Sequence, residues 1–138
     1  MPVNGLFDTT MQALDKVLEL RSQKLQLISS NIANAETPGY SAKKMDFEQD
    51  LREALDAGSS GTAATHPGHI PSGSGEQIAS FQGTVYEKQA AGRIGDGNTV
   101  SLDQEMVALS ENQIKYEAAI KALSKKMSFL KMVIQEKI

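Results

Sequence analysis

The chain has 138 residues, no cysteine and no tryptophan, and its formal net charge is −3 at pH 7. This length is typical of one domain, and the slightly acidic balance excludes the broad basic field on which sequence-independent nucleic-acid binding depends. Disulfides and thiolate metal sites are excluded, no apolar run reaches the roughly 18 residues that span a membrane, and the first residues lack the basic and apolar regions of a cleavable secretory signal.

Apolar residues in the N-terminal part recur at alternating steps of four and three. This mean spacing of about 3.5 residues is typical of a coiled coil. One member of the row, Arg21, is charged, and neither proline nor glycine interrupts it. We predict a coiled-coil helix over residues 1–35 and half of an assembly interface along it, formed by Phe7, Met11, Leu14, Leu18, Leu25, Ile28 and Ile32.

The predicted helix ends in the stretch NIANAETPGY at residues 31–40. Two asparagines lie three residues apart on one helix face, where their amides can bond carbonyl groups at the helix end or a neighbouring chain. A Pro-Gly pair prevents the helix from continuing and favours a type II turn with glycine at positive φ. The following tyrosine adds a rigid ring with a polar tip, which is useful at an interface. Two interpretations fit these residues. One is an ordinary helix stop and turn, and the other is an assembly junction formed by Asn31, Asn34, Thr37, Pro38, Gly39 and Tyr40.

The middle of the chain changes character twice. We predict a junction and a short helix over residues 36–57, with Asp46 as its cap and with Phe47, Leu51 and Leu55 on one face. Residues 58–75 consist mainly of glycine, proline, serine and threonine and carry no charged residue. Residues 58–98 are therefore predicted to form an insert with little regular structure, with one or two short strands around Phe81 and residues 84–86.

A second row with the same four-and-three spacing follows in residues 99–138. Ser101 and Gln104 fit a capping box at its start, and Gln113 is the polar member of the row. The row predicts a C-terminal coiled-coil helix and the other half of the assembly interface, formed by Met106, Leu109, Tyr116, Ile120, Leu123, Met127, Leu130 and Ile134.

The two rows together predict a mainly α fold. We expect the long N- and C-terminal helices to pack as an antiparallel coiled-coil pair, with the loop-rich insert between them. Two helices that meet along one narrow apolar row bury little apolar surface. The free energy gained by this burial is small compared with the entropy cost of ordering two long helices. We therefore expect the terminal helices to become firmly ordered when copies of the chain, or similar chains, assemble.

The sequence offers little that is typical of catalysis or metal binding. His66 and His69 lie three residues apart in the predicted loop, but no third ligand is near them in sequence. Residues 92–97 are glycine-rich, but the Lys-Ser/Thr pair of a phosphate loop does not follow. We expect no catalytic residue, no cofactor and no bound metal, and so no enzymatic activity.

The junction stretch resembles the N-terminal signature of the bacterial flagellar rod, hook and hook-associated proteins. In that family a helix ends in N-(I/L)-A-N-x-x-T-P-G-Y, and a basic residue and Asp-Phe follow, here Lys43 and Asp46-Phe47. Residues 97–106, GNTVSLDQEM, resemble the start of the family's C-terminal helix, although Ser101 stands where an acidic residue is common. Residues 65–70, THPGHI, resemble a stretch of a proximal rod member, and the chain is too short for the extra domains of distal rod and hook members.

This resemblance implies a self-assembling structural subunit of the proximal flagellar rod that helps to transmit torque from the MS ring to the distal rod. The implied partners are other copies of the chain, the second proximal rod protein FlgC, the rod adaptor FliE, the MS-ring protein FliF and, during secretion, the type III export apparatus; neither nucleic acid nor a small-molecule substrate is expected. The implied location is the basal-body rod in the periplasmic space, reached without a cleavable signal peptide. Two alternatives stay open, a coiled-coil binding adaptor or chaperone and a small enzyme on a helical scaffold.

Overall fold

The computed structural model describes residues 9–59, 78–89 and 95–135. Its elements are helix α1 (Thr9–Ala33), strand β1 (Lys43–Asp46), helix α2 (Glu48–Ser59), strand β2 (Thr84–Glu87) and helix α3 (Leu102–Gln135). The predicted mainly α fold, with a long helix at each end and a small insert between them, is confirmed. Phe7, His66 and His69 lie outside the described residues.

The two long helices pack against each other in antiparallel directions. Asn31 near the end of α1 bonds Glu105 near the start of α3, whereas Arg21, in the middle of α1, bonds Asn112 further along α3. Thr9 lies twelve residues before Arg21, so at an equal rise per residue it is level with about residue 124 of α3. The last part of α3 therefore extends beyond the described start of α1.

A hydrophobic cluster on the other side of α1 holds the insert in place. The two strands pair antiparallel, with Lys43 opposite Glu87 and Asp46 opposite Thr84. The buried members of the cluster come from α1, β1 and the start of α2, and they are Leu20, Met45, Phe47 and Leu51. Leu55 and Phe81 pack against them, which confirms the predicted apolar face of the short helix. Gly83 lets the strand approach this cluster closely: a Cβ atom at this position would lie 2.2 Å from Met45 Cε, so a larger residue would force the Met45 side chain to move.

Two details of the insert differ from the sequence prediction. The prediction that Asp46 caps the short helix is wrong: α2 begins at Glu48, and Asp46 ends β1. The Asp46 carboxylate instead accepts a hydrogen bond from the Tyr86 hydroxyl at 2.8 Å, which raises the pKa of Tyr86. The predicted strand at residues 84–86 is confirmed, whereas β1 was not predicted, because its sequence Lys-Lys-Met-Asp has a low intrinsic preference for strands.

Candidate functional site

The junction after α1 folds into the turn that its Pro-Gly pair predicts. Gly39 has a φ of 73°, and the Tyr40 N–H donates to the Thr37 carbonyl oxygen at 3.3 Å. The outer side of the turn is bound by the segment that leads into α3: the Gly39 N–H donates to the Asp96 carbonyl oxygen at 2.9 Å, and the Thr99 N–H donates to the Tyr40 carbonyl oxygen at 3.0 Å. The turn thus joins the end of one long helix to the start of the other.

Asn31 is fully buried. Its side-chain amide forms the hydrogen bonds with β1 that the main chain of a neighbouring strand would form. Its Nδ2 donates to the Lys43 carbonyl oxygen at 2.7 Å, and its Oδ1 accepts from the Lys43 N–H at 2.9 Å. The same Nδ2 lies 3.1 Å from Glu105 Oε2 on α3. Glu105 is only 1% exposed, and Lys44 Nζ, 2.5 Å from its Oε1, supplies the opposite charge. One asparagine therefore holds α1, β1 and α3 together.

Asn98 binds the turn that directly follows α1. Its Nδ2 lies within hydrogen-bond distance of three carbonyl oxygens, those of Asn34 at 2.9 Å, Ala35 at 3.0 Å and Thr37 at 2.8 Å. Its Oδ1 accepts from the Val100 N–H at 2.7 Å. Carbonyl groups at a helix end need partners of this kind. Asn98 was not among the site residues predicted from the sequence, although it lies in the stretch GNTVSLDQEM at residues 97–106 that resembles the start of the family's C-terminal helix.

The remaining polar junction residues also bond within the chain. Asn34 Nδ2 donates to the Ser30 carbonyl oxygen at 2.8 Å, the Thr37 hydroxyl donates to Asn34 Oδ1 at 3.1 Å, and the Tyr40 hydroxyl lies 3.3 Å from Asn31 Oδ1. Pro38 is exposed. These bonds give the junction a clear role in joining the helices, and its part in assembly stays a prediction.

The predicted interface row of α1 is mostly covered within the chain. Among its members, Met11 and Ile28 are buried and Leu25 is 40% exposed, while Leu14, Leu18 and Ile32 are half-buried. The charged member, Arg21, is buried too.

Arg21 is held by polar and aromatic contacts between α1, α3 and the insert. Its Nη1 donates to Asn112 Oδ1 at 3.3 Å and lies 3.6 Å from Glu48 Oε1, and the guanidinium lies 5.3 Å from the centre of the Phe47 ring. Burial lowers the pKa of Arg21, and the nearby Glu48 carboxylate opposes this shift. Burial also raises the pKa of Glu48, but main-chain N–H groups and Lys24 lower it more, so the net shift is downward.

The predicted interface row of α3 divides into two halves. Four of its members are half-buried, namely Leu109, Tyr116, Leu123 and Leu130. The other four are 40–53% exposed, namely Met106, Ile120, Met127 and Ile134. The buried positions of α3 are instead Glu105, Asn112 and Ala119. Each of them lies one residue before a member of the predicted row, so the seam, the side of α3 that contacts α1, differs from the prediction at every second position.

Further large apolar side chains are exposed elsewhere on α3. Val107 and Ile114 are 68% and 70% exposed, and Phe129 near the end is 63% exposed. Met132 and Val133 are also exposed. We call the whole set the exposed apolar surface of α3; its members are Leu102, Met106, Val107, Ile114, Ile120, Met127, Phe129, Met132, Val133 and Ile134. A helix with apolar side chains on several sides is typical of a buried position, and the described residues of a single copy do not bury this one.

Within residues 9–59, 78–89 and 95–135, no cluster of three or more histidine, aspartate or glutamate side chains is arranged to hold a metal ion. Over the same residues, no helix combines the length and hydropathy needed to cross a bilayer.

Known proteins resemble this chain in the junction and over its length. A family model described as "Flagella basal body rod protein" matches residues 17–40, which comprise much of α1 and the turn. The Flagellar basal body rod protein FlgB of Escherichia coli (strain K12) is 30% identical over 134 residues, which cover 93% of this chain and 94% of that protein. The chain belongs to the FlgB family of flagellar basal body rod proteins.

Other FlgB proteins show similar agreement. That of Bacillus subtilis (strain 168) is 33% identical over 131 residues, 94% of this chain and 96% of its own. That of Aeromonas hydrophila is 33% identical over 124 residues, 90% and 91% of the two chains. The family resemblance noted from the junction motif is thus confirmed well beyond that motif, and this FlgB family member is a component of the flagellar basal body rod.

Proposed function

We propose that this FlgB family member is a structural subunit of the proximal rod, that it assembles with other copies of itself through its terminal helices, and that it helps to transmit torque from the MS ring to the distal rod. The observation that carries the proposal is the exposed apolar surface of α3. Burying one large apolar side chain contributes about 1.5–3 kcal/mol. Five of the exposed residues, Met127, Phe129, Met132, Val133 and Ile134, lie close together in sequence near the end of α3, and clustered exposed apolar side chains mark an interaction site.

The way in which the helices are joined supports a mechanical role. Asn31 connects α1 to β1 and α3, and Asn98 connects the segment before α3 to the end of α1. Both residues bond across the junction through several contacts each. A load applied to one helix therefore reaches the other through hydrogen bonds and not through a loose connection, as a torque-bearing subunit requires.

Family membership also supports specific neighbours. We propose that the chain contacts FlgC, FliE and the MS-ring protein FliF, and that the flagellar type III apparatus exports it without cleavage of a signal peptide to the rod in the periplasmic space. In this role the chain binds neither nucleic acid nor a small-molecule substrate. A coiled-coil adaptor or chaperone would differ from a rod subunit in one testable way, since it would act without being incorporated into the rod.

The test replaces exposed apolar residues of α3 by aspartate. Met106→Asp and Met127→Asp should leave the melting temperature of the free protein nearly unchanged, because both side chains are at least half exposed. They should abolish or strongly reduce swimming in soft agar and the yield of basal bodies with rods, because a charge would be buried at a subunit contact.

Ser128→Asp is the matched control, because it places the same charge on the same helix at an exposed residue without removing an apolar side chain. Cells with this variant should swim normally. Normal swimming and normal rods with both methionine variants would show that the exposed apolar surface of α3 is not an assembly contact.

A further inference from the structure

The small sheet has two outer edges, and the described residues cover one of them. In the antiparallel register, Lys44 lies opposite Tyr86 and Met45 opposite Val85. The Lys88 N–H donates to the Ala42 carbonyl oxygen at 2.8 Å, so positions 42, 44 and 46 are the hydrogen-bonded ones. Antiparallel strands alternate between bonded and non-bonded pairs. The main-chain groups of Lys43 therefore point away from β2, and those of Val85 and Glu87 point away from β1.

The outer edge of β1 is occupied by Asn31. Its side-chain amide bonds both the N–H and the carbonyl group of Lys43, as a neighbouring strand would do. The edge of β1 is thereby closed to another chain.

Within residues 9–59, 78–89 and 95–135, no strand pairs with the outer edge of β2. Across the described parts of the chain, no hydrogen bond reaches the outward main-chain groups of Val85 or Glu87. Val85 is 52% exposed although it shares a sheet face with the buried Met45, and Tyr86 is 46% exposed. Val85 also lines a groove beside α1, together with Lys16 and Glu19. An open strand edge with exposed apolar side chains is a template for another strand.

We propose that this edge binds the same edge of a second copy of the chain. The two β2 strands would run antiparallel about Tyr86 and would form a four-stranded sheet. The residues that this pairing brings opposite each other favour the second copy as the occupant.

Pairing about Tyr86 places Tyr86 opposite Tyr86 of the second copy, and aromatic pairs across strands are stabilising. Val85 then lies opposite Glu87 of the second copy, on the side of the groove lined by Lys16 and Glu19, whose side chains form an ion pair with each other at 2.8 Å. Thr84 lies opposite Lys88 of the second copy, so like charges are not opposed. A register about Glu87 would oppose two carboxylates, which is destabilising.

This contact has two-fold symmetry, with the same residues on both copies. Subunits of a helical rod all point the same way, so the contact belongs to the free chain and does not rest on the function proposed above. Two four-residue strands bury far less than the roughly 1,200 Å² of a stable interface. The dimer is therefore weak and forms at high protein concentration.

Single cysteines test the proposal, because the chain has no cysteine of its own. Tyr86→Cys places two thiols at a non-hydrogen-bonded pair, where Cα atoms are about 4.5 Å apart and a disulfide can form. In a mildly oxidising buffer this variant should form a disulfide-linked dimer about tenfold faster or more than a control, because pairing raises the effective thiol concentration.

Thr84→Cys is the matched control, since Thr84 is exposed on the same strand and the same face. In the proposed register the two copies of residue 84 are four positions apart, about 13 Å along the strand, and should not cross-link. Mixing Thr84→Cys with Lys88→Cys should restore the cross-link. If Tyr86→Cys does not fold, cross-linking in the mixture of Thr84→Cys and Lys88→Cys still tests the proposed pairing.

A second comparison, made in the Tyr86→Cys background, concerns the outward N–H of Val85. Val85→Pro removes this donor and is compatible with an edge strand, whereas Val85→Thr keeps it. Proline should reduce dimer formation to the level of Thr84→Cys, threonine should not, and circular dichroism should show both variants folded. Equal rates for Tyr86→Cys and Thr84→Cys, failure of the mixture to cross-link, or a cross-link that survives proline would each overturn the proposal.

Discussion

Asn98 shows how much one side chain can contribute to a junction between two helices. Its amide nitrogen lies close to three carbonyl oxygens at the end of α1, and its side-chain oxygen accepts from the main chain just before α3. Without it, those carbonyl groups would depend on water or lose partners, and the segment before α3 would be held to the junction mainly by the main-chain bonds of Gly39 and Thr99.

We expect Asn98→Ala to lower the free energy of unfolding by about 1–3 kcal/mol, because partly buried carbonyl groups lose their donor. Asn98→Asp keeps the acceptor for Val100 but puts a carboxylate beside three carbonyl oxygens, and it should destabilise the protein at neutral pH at least as much. Urea unfolding followed by circular dichroism measures both changes. Asn34→Ala, which removes the more exposed bonds to Ser30 and Thr37, should cost less; equal losses for the alanine variants would contradict the special role of Asn98.

Local rules predicted some of these residues and missed others. The turn at Pro38-Gly39 depends only on backbone preferences and was predicted correctly. Asn34 bonds a carbonyl group at its own helix end, as expected from its position. Asn31 and Asn98 each have a partner nearby in sequence, but the bonds that join the elements reach Lys43, Glu105 and Asn34, which lie 12, 74 and 64 positions away, and no local pattern marks these distant partners.

At the level of elements, α3 shows why an apolar row does not identify a seam. The most apolar row of α3 was predicted to face α1, yet the buried positions include Glu105 and Asn112. These two residues have polar partners on α1, namely Asn31 and Arg21, and such pairs fix the register of a helix pair. Single-chain packing satisfies these pairs, and half of the apolar row is left for other contacts.

The shifted seam can be tested with two adjacent alanines of α3. Ala119 is 8% exposed and Ala118 is exposed. Ala119→Asp should destabilise the free protein by about 3 kcal/mol, because it buries an unpaired charge. Ala118→Asp should change the stability by no more than about 0.5 kcal/mol. Thermal unfolding compares the two, and equal effects would mean that the seam does not follow residues 105, 112 and 119.

At the level of the whole molecule, the two long helices differ in length and in surroundings. α1 has 25 residues and α3 has 34, so the helices are about 37 and 51 Å long. α1 is covered by α3 on one side and by the insert on another, whereas α3 extends past Thr9 and carries the exposed apolar surface. The number and type of long helices could be predicted from spacing, but the offset between them could not, because it depends on contacts between distant residues.

This offset leads to a prediction about local stability along α3. In the free protein, amides in residues 109–123, which lie beside α1, should exchange slowly with solvent deuterium. Amides in residues 127–135 should exchange much faster, because this part of α3 lies beyond the described start of α1 and a helix end with few tertiary contacts opens easily. In isolated rods the second segment should become as protected as the first, since neighbouring subunits would then cover Met127, Phe129 and Met132. Hydrogen exchange with mass spectrometry on the free protein and on rods gives both profiles. Equal protection of the two segments in the free protein would show that α3 needs no neighbours, and continued fast exchange of residues 127–135 in rods would show that this end of α3 is not a subunit contact.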